Sequence, residues 1–185
     1  MSPKCPFIKR PYAPGQKKKR GGFSFSEYAK ELREKQKLKN YYGLREKQFK
    51  NYVTSALAGR GKADTVAVLI KRLEGRLDNV VFRMGFAKSR KEARKLVGQK
   101  HFLVNGKPVN IPSFETKKEM VISVKPLRKE KMIFKNQVLL LKNYQAPSWL
   151  KISAEKLEGI IIADPTPEEI GSAVDISAIF EFYSR

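Results

Sequence analysis

The chain has 185 residues, of which 39 are Lys or Arg and 18 are Asp or Glu, so its formal net charge at pH 7 is +21. Such a charge repels itself unless a polyanion neutralises it, and a nucleic acid or an anionic membrane surface is therefore the expected partner. Because 41% of the residues are hydrophobic, the composition excludes a wholly disordered basic tail and allows one or two small domains.

Cysteine content and hydropathy narrow the class further. The single cysteine, Cys5, excludes an intrachain disulfide and a cysteine-based metal cluster. No run of about 18 apolar residues occurs, and the amino terminus has too many prolines and charges for a signal peptide. We expect a cytosolic protein that spans no membrane and needs no metal or other cofactor.

The charge is distributed unevenly along the chain. Residues 1–62 carry 17 basic and 4 acidic side chains, residues 63–135 carry 18 and 7, and residues 136–185 carry 4 and 7. The polyanion should therefore meet the first two-thirds of the chain. The acidic last segment either packs against protein or forms a solvated surface, and composition does not decide between the two.

Residues 1–23 contain four prolines and a glycine followed by a basic cluster, which predicts an extended arm that becomes ordered on a polyanion. A nuclear-localisation-like tetrapeptide or a solubility tail is the alternative interpretation. The RNA-contact candidates of the arm are Lys17, Lys18, Lys19 and Arg20.

Two helices follow, and we predict that they join near Gly43. Ser24 and Glu27 have capping-box spacing, and apolar residues recur at helical intervals after them. The opposite faces are basic and flank Tyr41 and Tyr42, which either stack on unpaired bases or belong to the core. The candidates for RNA contact on these helices are Arg33, Lys35, Lys37, Lys39, Arg45, Lys47 and Lys50.

The pattern over residues 65–84 predicts one amphipathic helix, with Asp64 or Thr65 as its cap. At 100° per residue, an apolar stripe runs along one side and a polar group flanks it. We expect the stripe to pack and the flanking group to meet RNA, so that replacing Arg76 and Arg83 together weakens RNA binding without unfolding. The flanking group consists of Arg72, Arg76, Asn79 and Arg83.

Gly85 should end that helix, and a second capping box, Ser89 with Glu92, predicts a short helix over residues 90–97. Gly98 is the expected stop. Its inward positions are small or apolar, and its outer arc is cationic, which implies a counter-charge outside the helix. The outer-arc candidates for RNA contact are Arg90, Lys91, Arg94 and Lys95.

A tight hairpin follows, because Asn105-Gly106 suits a type I′ turn between residues 102–104 and 107–109. Pro108 cannot donate to a ladder and argues for an edge strand, and residues 120–124 supply another strand. We expect His101, the only histidine, to be a surface or hairpin residue near phosphate and not a catalytic base. The candidates here are Lys100, His101, Asn105 and Lys107.

Residues 76–124 resemble a small RNA-binding domain shared by ribosomal protein four of the small subunit, some pseudouridine synthases and some tyrosyl-tRNA synthetases. Similarity to the ribosomal family extends over nearly the whole chain. The segments that carry it are LREKQK at 32–37, YG at 42–43, LEGRLDNVV at 73–81, WL at 149–150, KLEG at 156–159 and FYSR at 182–185. The chain is similar to a bacterial-type member.

This resemblance implies an α+β fold in which a discontinuous helical domain carries an inserted RNA-binding domain of the αL type, built from helices and a small antiparallel sheet. The implied divisions are a basic arm at 1–23, a helical domain at 24–72 plus 137–185, and an inserted domain at 73–136. Many relatives also carry an earlier segment with a cysteine cluster. This chain begins near the last such cysteine, so no metal is expected.

The resemblance implies a structural constituent of the small ribosomal subunit that is not an enzyme. Such a protein binds the five-prime domain junction of small-subunit ribosomal RNA early, nucleates assembly and influences translational accuracy. It lies beside ribosomal protein five where messenger RNA enters, a role that the cluster from Lys17 to Arg20 would carry. A pseudouridine synthase would need a catalytic domain, for which the roughly sixty residues after the module are too few. A DNA-compacting or heat-shock factor stays open.

Overall fold

A computed structural model describes residues 10, 12, 15, 26–59, 64–129, 134, 137, 138, 141, 144–166 and 174–184. Seven helices and one five-stranded antiparallel sheet lie within these ranges, which confirms the α+β class. The helices are α1 (Glu27–Tyr41), α2 (Glu46–Ala58), α3 (Thr65–Glu74), α4 (Leu77–Arg83), α5 (Arg90–Gly98), α6 (Pro126–Lys129) and α7 (Ile176–Ser184). The strands are β1 (Phe102–Val104), β2 (Lys107–Pro108), β3 (Val121–Val124), β4 (Leu150–Ser153) and β5 (Glu158–Ile161). Lys17, Lys18, Lys19 and Arg20 lie outside the described residues.

Helices α1, α2, α3 and α7 share one apolar core, which we call the helical unit. Leu38 of α1, Phe49 of α2 and Leu73 of α3 are buried there together with Ile179 of α7. Helix α7 packs against both α1 and α2. Residues close to the two ends of the described chain therefore meet, and the segment between them forms a second core.

The second core lies between the sheet and helices α4 and α5, and we call residues 75–129 and 144–166 the sheet unit. The strand order is β2-β1-β3-β5-β4. The predicted boundary assigns residues 137–185 to the helical domain, whereas β5 pairs with β3 through Ile122 and Gly159. Leu150 and Ile161 are buried in the same cluster as Leu77. These contacts favour a sheet unit that extends to the end of β5.

Side-chain caps set the starts of three helices. Helix α1 begins one residue after Ser26, whose hydroxyl accepts from the Ala29 N–H at 3.3 Å, so the predicted cap at Ser24 is wrong. Asp64 caps α3 and Ser89 caps α5, as predicted. Ser24 and Ser26 are both suitable N-cap residues, and the sequence does not show at which residue the helix begins.

The single helix predicted over residues 65–84 is wrong, because the chain breaks at Gly75 and Arg76 into α3 and α4. Backbone groups at the break are satisfied by a distant loop. The Leu77 N–H donates to the Phe114 carbonyl at 2.9 Å, and the Thr116 N–H donates to the Gly75 carbonyl at 2.8 Å. Tertiary hydrogen bonds thus replace helical ones, and a projection at 100° per residue fails beyond the break.

The turns lie where the sequence predicts them. Gly43 has φ +61° between α1 and α2, and Asn105 and Gly106 have φ +47° and +78° in the hairpin between β1 and β2. The Asn105 side-chain oxygen also accepts from the Val121 N–H at 2.8 Å, which ties the turn to β3. Strand β2, with Pro108, lies at the sheet edge as predicted.

A glycine in β5 permits close packing of the second core. A Cβ at Gly159 would lie 2.5 Å from the Met84 sulfur, whereas a Cβ at Gly98 would meet nothing within 4 Å. We expect Gly159→Ala to lower the free energy of unfolding by about 1–3 kcal/mol through overpacking. Gly98→Ala is the control and should change it by less than about 1 kcal/mol. Urea unfolding of both variants checks this, and equal midpoints would contradict it.

Candidate RNA-binding surface

The arginine patch predicted for the helix over residues 65–84 is mostly internal. Arg76 is 3% exposed and Asn79 is 1% exposed, so the expectation that they flank the core at the surface is wrong. The Arg76 guanidinium donates to the Asp78 carboxylate at 2.9 and 3.1 Å and to the Tyr52 hydroxyl at 2.8 Å. The break before α4 turns both side chains inward, where the guanidinium needs its carboxylate.

Glu74, at the end of α3, binds donors from three other positions. Its carboxylate accepts from the Tyr42 hydroxyl at 2.6 Å, from the Asn79 amide at 2.6 Å and from the Arg83 guanidinium at 2.8 and 3.0 Å. Burial raises the pKa of the Glu74 carboxyl, but its hydrogen bonds and the charge of Arg83 outweigh burial and leave that pKa lowered. Burial and Glu74 raise the pKa of Tyr42, so its hydroxyl stays protonated and donates.

Arg94 of α5 links the two units. Its Nε donates to Asp78 at 2.9 Å, while Nη1 donates to the Gly43 carbonyl at 2.7 Å and Nη2 to the Tyr42 carbonyl at 3.2 Å. The guanidinium therefore satisfies carbonyls that follow the end of α1 and neutralises an acid of α4 at once. The counter-charge expected for α5 is thus supplied in part by Asp78.

Arg90 also turns away from the predicted outer arc. Its Nε donates to the Asn79 side-chain oxygen at 2.7 Å, and its guanidinium carbon lies 4.0 Å from the Tyr41 ring centroid and 4.6 Å from that of Phe82. Both aromatic contacts have cation–π geometry. The side chains so connected form what we call the buried network: Tyr42, Glu74, Arg76, Asp78, Asn79, Arg83, Arg90 and Arg94.

Two further predicted RNA contacts are buried. Lys35 is 6% exposed, donates to Glu46 at 2.8 Å and lies 4.4 Å from the Phe182 ring centroid. His101 is 4% exposed, with its ring 5.7 Å from that of Phe134, so a surface position is wrong for it too. Lys35 joins α1 to α2 and α7, and His101 contributes to the second core.

Among the predicted cations that the structure describes, nine are exposed, in two groups. The first group lies on α1 and on the N-terminal part of α2. The second group lies on α5, in the residues that follow α5, and in the hairpin between β1 and β2. Arg72, which donates to the Ser55 hydroxyl, and Lys39 are half-buried. The exposed cations are Arg33, Lys37, Arg45, Lys47, Lys50, Lys91, Lys95, Lys100 and Lys107.

A cleft of about 240 Å³ lies where the start of α2, the break between α3 and α4, and α5 meet. Three arginines line it: Arg45 from the start of α2, Arg76 from the helix break and Arg94 from α5. Gln48 and Ser113 add an amide and a hydroxyl. Such a cleft combines positive charge with neutral hydrogen-bonding groups, which suits a phosphate backbone.

Sequence patterns did not single out Gln48, Ser113 or the two network acids. Gln48 and Ser113 come together only through the fold, so no local signal marks them. Glu74 and Asp78 did carry a signal, since they are the acids among a run of arginines on an otherwise apolar segment. Acids interspersed with arginines on an apolar segment indicate buried ion pairs between them.

Glu46, at the start of α2, connects α1 and α7. Its carboxylate accepts from Lys35 at 2.8 Å, Lys39 at 3.1 Å and the Tyr183 hydroxyl at 2.7 Å. Burial raises the Glu46 pKa, but these hydrogen bonds outweigh it and lower the pKa to about 2. The folded pKa lies below the unfolded value, so the stabilisation is complete above about pH 4.5 and is lost as pH falls towards 2.

We therefore expect the Glu46 side-chain carboxyl to titrate near pH 2 in carbon-detected NMR of the folded protein. Tyr183→Phe removes one donor and should raise the midpoint. A wild-type Glu46 midpoint close to 4.5 would contradict the hydrogen-bonded arrangement.

Among the described residues, no group of three or more His, Cys, Asp or Glu side chains could hold a metal ion. Within the same ranges, no helix is long and apolar enough to cross a membrane. Cys5 lies outside these ranges.

Comparison with known proteins defines the class. Residues 75–122 match the family model of the S4 domain, which is an RNA-binding domain, and residues 1–74 match that of the ribosomal protein S4/S9 N-terminal domain. The boundary between the two matches coincides with the break between α3 and α4.

Relatives that match nearly the whole chain agree with the family models. The small ribosomal subunit protein uS4 of Kosmotoga olearia is 42% identical over 187 residues, covering 100% of this chain and 88% of that protein. The protein uS4A of Bdellovibrio bacteriovorus is 44% identical over 182 residues, covering 98% and 86%. The chain belongs to the family of small ribosomal subunit protein uS4. Members of this family are structural components rather than enzymes, and in bacteria they are cytoplasmic, which confirms both predictions.

Proposed function

We propose that this protein is a structural constituent of the small ribosomal subunit that binds the five-prime domain junction of small-subunit ribosomal RNA. The observation that carries the proposal is the arginine-lined cleft between the start of α2 and α5, on two units that each carry exposed cations. Cations on two adjoining units can neutralise phosphates of different RNA helices at the same time. Membership of the uS4 family also supports small-subunit ribosomal RNA as the ligand.

The mechanism is conformational and involves no catalysis. Phosphates crowd together where several RNA helices meet, and Lys or Arg side chains lower the free energy of that arrangement. The exposed side chains are mainly lysines, which act as point charges and carry no base-specific code. Recognition should therefore depend on RNA shape more than on sequence. Early stabilisation of one junction conformation is how the protein would nucleate assembly.

Position within the subunit is the second part of the proposal. We place the protein beside ribosomal protein five, near the channel through which messenger RNA enters, where it influences translational accuracy. The family resemblance supports this placement. The net negative charge of residues 136–185 favours a protein neighbour over RNA on that part of the surface. The cluster from Lys17 to Arg20 would face the incoming messenger.

Parallel filter binding tests the proposal. The probes are a transcript of the five-prime domain of small-subunit ribosomal RNA, transfer RNA and duplex DNA, each at physiological salt. We expect the transcript to bind at least about a thousandfold more tightly than the other two, as in specific nucleic-acid recognition. Sedimentation with small subunits at the same salt is the second measurement. Equal binding of all three probes would instead indicate a nonspecific nucleic-acid-compacting protein.

A further inference from the structure

Two buried acids connect the units that carry the exposed cations. Glu74 and Asp78 are each 2% exposed. Glu74 holds Tyr42 from the end of α1 and Arg83 from α4. Asp78 holds Arg94, whose guanidinium also binds carbonyls after α1. Glu74 therefore connects the residue after α1 to α4, and Asp78 connects α4 to α5 through Arg94.

Stability alone is a weak reason for this arrangement. Burying a carboxylate is costly even when it is well paired, and apolar side chains of similar size often stabilise as much or more. What a charged network adds is geometry, because each bond requires one distance and one direction. Glu74 and Asp78 also lower the net positive charge of a protein whose partner is a polyanion. Electrostatics alone would select against them.

We propose that Glu74 and Asp78 are positioning residues of the RNA site. They hold the helical unit against α5, so that Arg45 and Arg94 line the same cleft. RNA then meets a preorganised pair of surfaces and does not have to order them on binding. This inference rests on the proposed RNA-binding function, and it assigns a role to two side chains that do not contact RNA.

The Asp78→Asn variant distinguishes the effect of positioning on RNA affinity from the effect of net charge. The substitution removes one negative charge from a chain of net charge +21, so charge alone predicts equal or tighter RNA binding. Positioning predicts the opposite, because the amide cannot hold both Arg76 and Arg94 as the carboxylate does. We expect binding of the five-prime domain transcript to weaken about tenfold, as for the loss of a charged hydrogen bond.

Two companion variants sharpen the comparison. Glu119→Gln makes the same charge change at an exposed position and should bind equally or more tightly. Tyr42→Phe is neutral and buried, and it removes only the donor to Glu74. It should fold, as a circular dichroism melt will show, and still weaken RNA binding several-fold. A direct contact between Tyr42 and RNA is excluded by its 2% exposure.

The orientation is measured without RNA by double electron–electron resonance. Spin labels at Glu181→Cys in α7 and Glu155→Cys in the turn before β5 report on the two units, in a Cys5→Ser background. We expect one narrow distance distribution in the wild type and a broader one in Asp78→Asn. The labelled Glu119→Gln protein should match the wild type.

The proposal is overturned if Asp78→Asn and Glu119→Gln bind the transcript equally, or if the distance distribution of Asp78→Asn stays narrow. If Asp78→Asn does not fold, Tyr42→Phe becomes the test. An affinity of Tyr42→Phe for the transcript equal to that of the wild type then overturns the proposal. A wild type that binds the transcript no better than transfer RNA defeats the proposed function instead. In that case a broadened distribution in Asp78→Asn would still show that the acids fix the orientation of the units.

Discussion

Binding of the five-prime domain transcript should weaken roughly 10³- to 10⁵-fold between 50 and 200 mM monovalent salt, which corresponds to about 6–10 phosphate contacts. The predicted contacts in the described part of the chain include nine exposed cations, which matches that range. Neutralised phosphates release condensed counterions, and added salt opposes this release. A plot of log affinity against log salt concentration gives the number of contacts directly. A flat plot would exclude phosphate neutralisation as the source of affinity.

A charge-removal variant tests which surface contributes to this slope. Lys91 and Lys95 are exposed on α5, whose buried side chains are those of Ala93, Leu96 and Val97. Lys91→Ala with Lys95→Ala should leave the melt intact and reduce the slope by about two. Lys117→Ala with Lys118→Ala, also exposed, is the matched control outside the predicted contacts. Equal loss in both pairs would mean that binding follows net charge alone.

Local features of this fold were predictable because they depend on few residues. Ser89 caps α5, and Asn105-Gly106 makes the hairpin, since each signal lies within a few positions of the structure that it specifies. The break at Gly75 was not predictable in the same way. A lone glycine is tolerated inside a helix, and the groups that replace its helical bonds, Phe114 and Thr116, lie about forty residues later.

The burial of Arg76 and Asn79 could not be predicted from the sequence for the same reason. Once the helix breaks, Arg76 and Asn79 no longer share a face with Arg72, and the fold surrounds them with Glu74 and Asp78. Arginine is equally suited to an RNA phosphate and to a buried carboxylate, so residue type cannot distinguish the two uses. The exposure of Lys91 and Lys95 on α5 agrees with the sequence, because lysine is seldom buried. Lys35 is the exception, since it is buried and paired with Glu46.

Arg76→Ala should lower the free energy of unfolding by about 3–5 kcal/mol, the cost of leaving a buried charge without its partner. Asp78 is 2% exposed and would keep only Arg94, while the Tyr52 hydroxyl would lose its donor. This reverses the expectation from the sequence that Arg76 could be removed without unfolding. Chemical denaturation with fluorescence of Trp149, which is buried in the second core, measures the change.

Arg45→Ala is the matched control for Arg76→Ala, because both guanidinium groups line the same cleft. Arg45 is exposed, and its side chain makes no cap hydrogen bond at the start of α2. Its removal should change stability by less than about 0.5 kcal/mol. It should nevertheless weaken RNA binding and lower the salt slope by about one. If Arg76→Ala unfolded at the same denaturant concentration as Arg45→Ala, the buried ion pair would contribute nothing to the fold, and Arg76 would return to the list of RNA contacts.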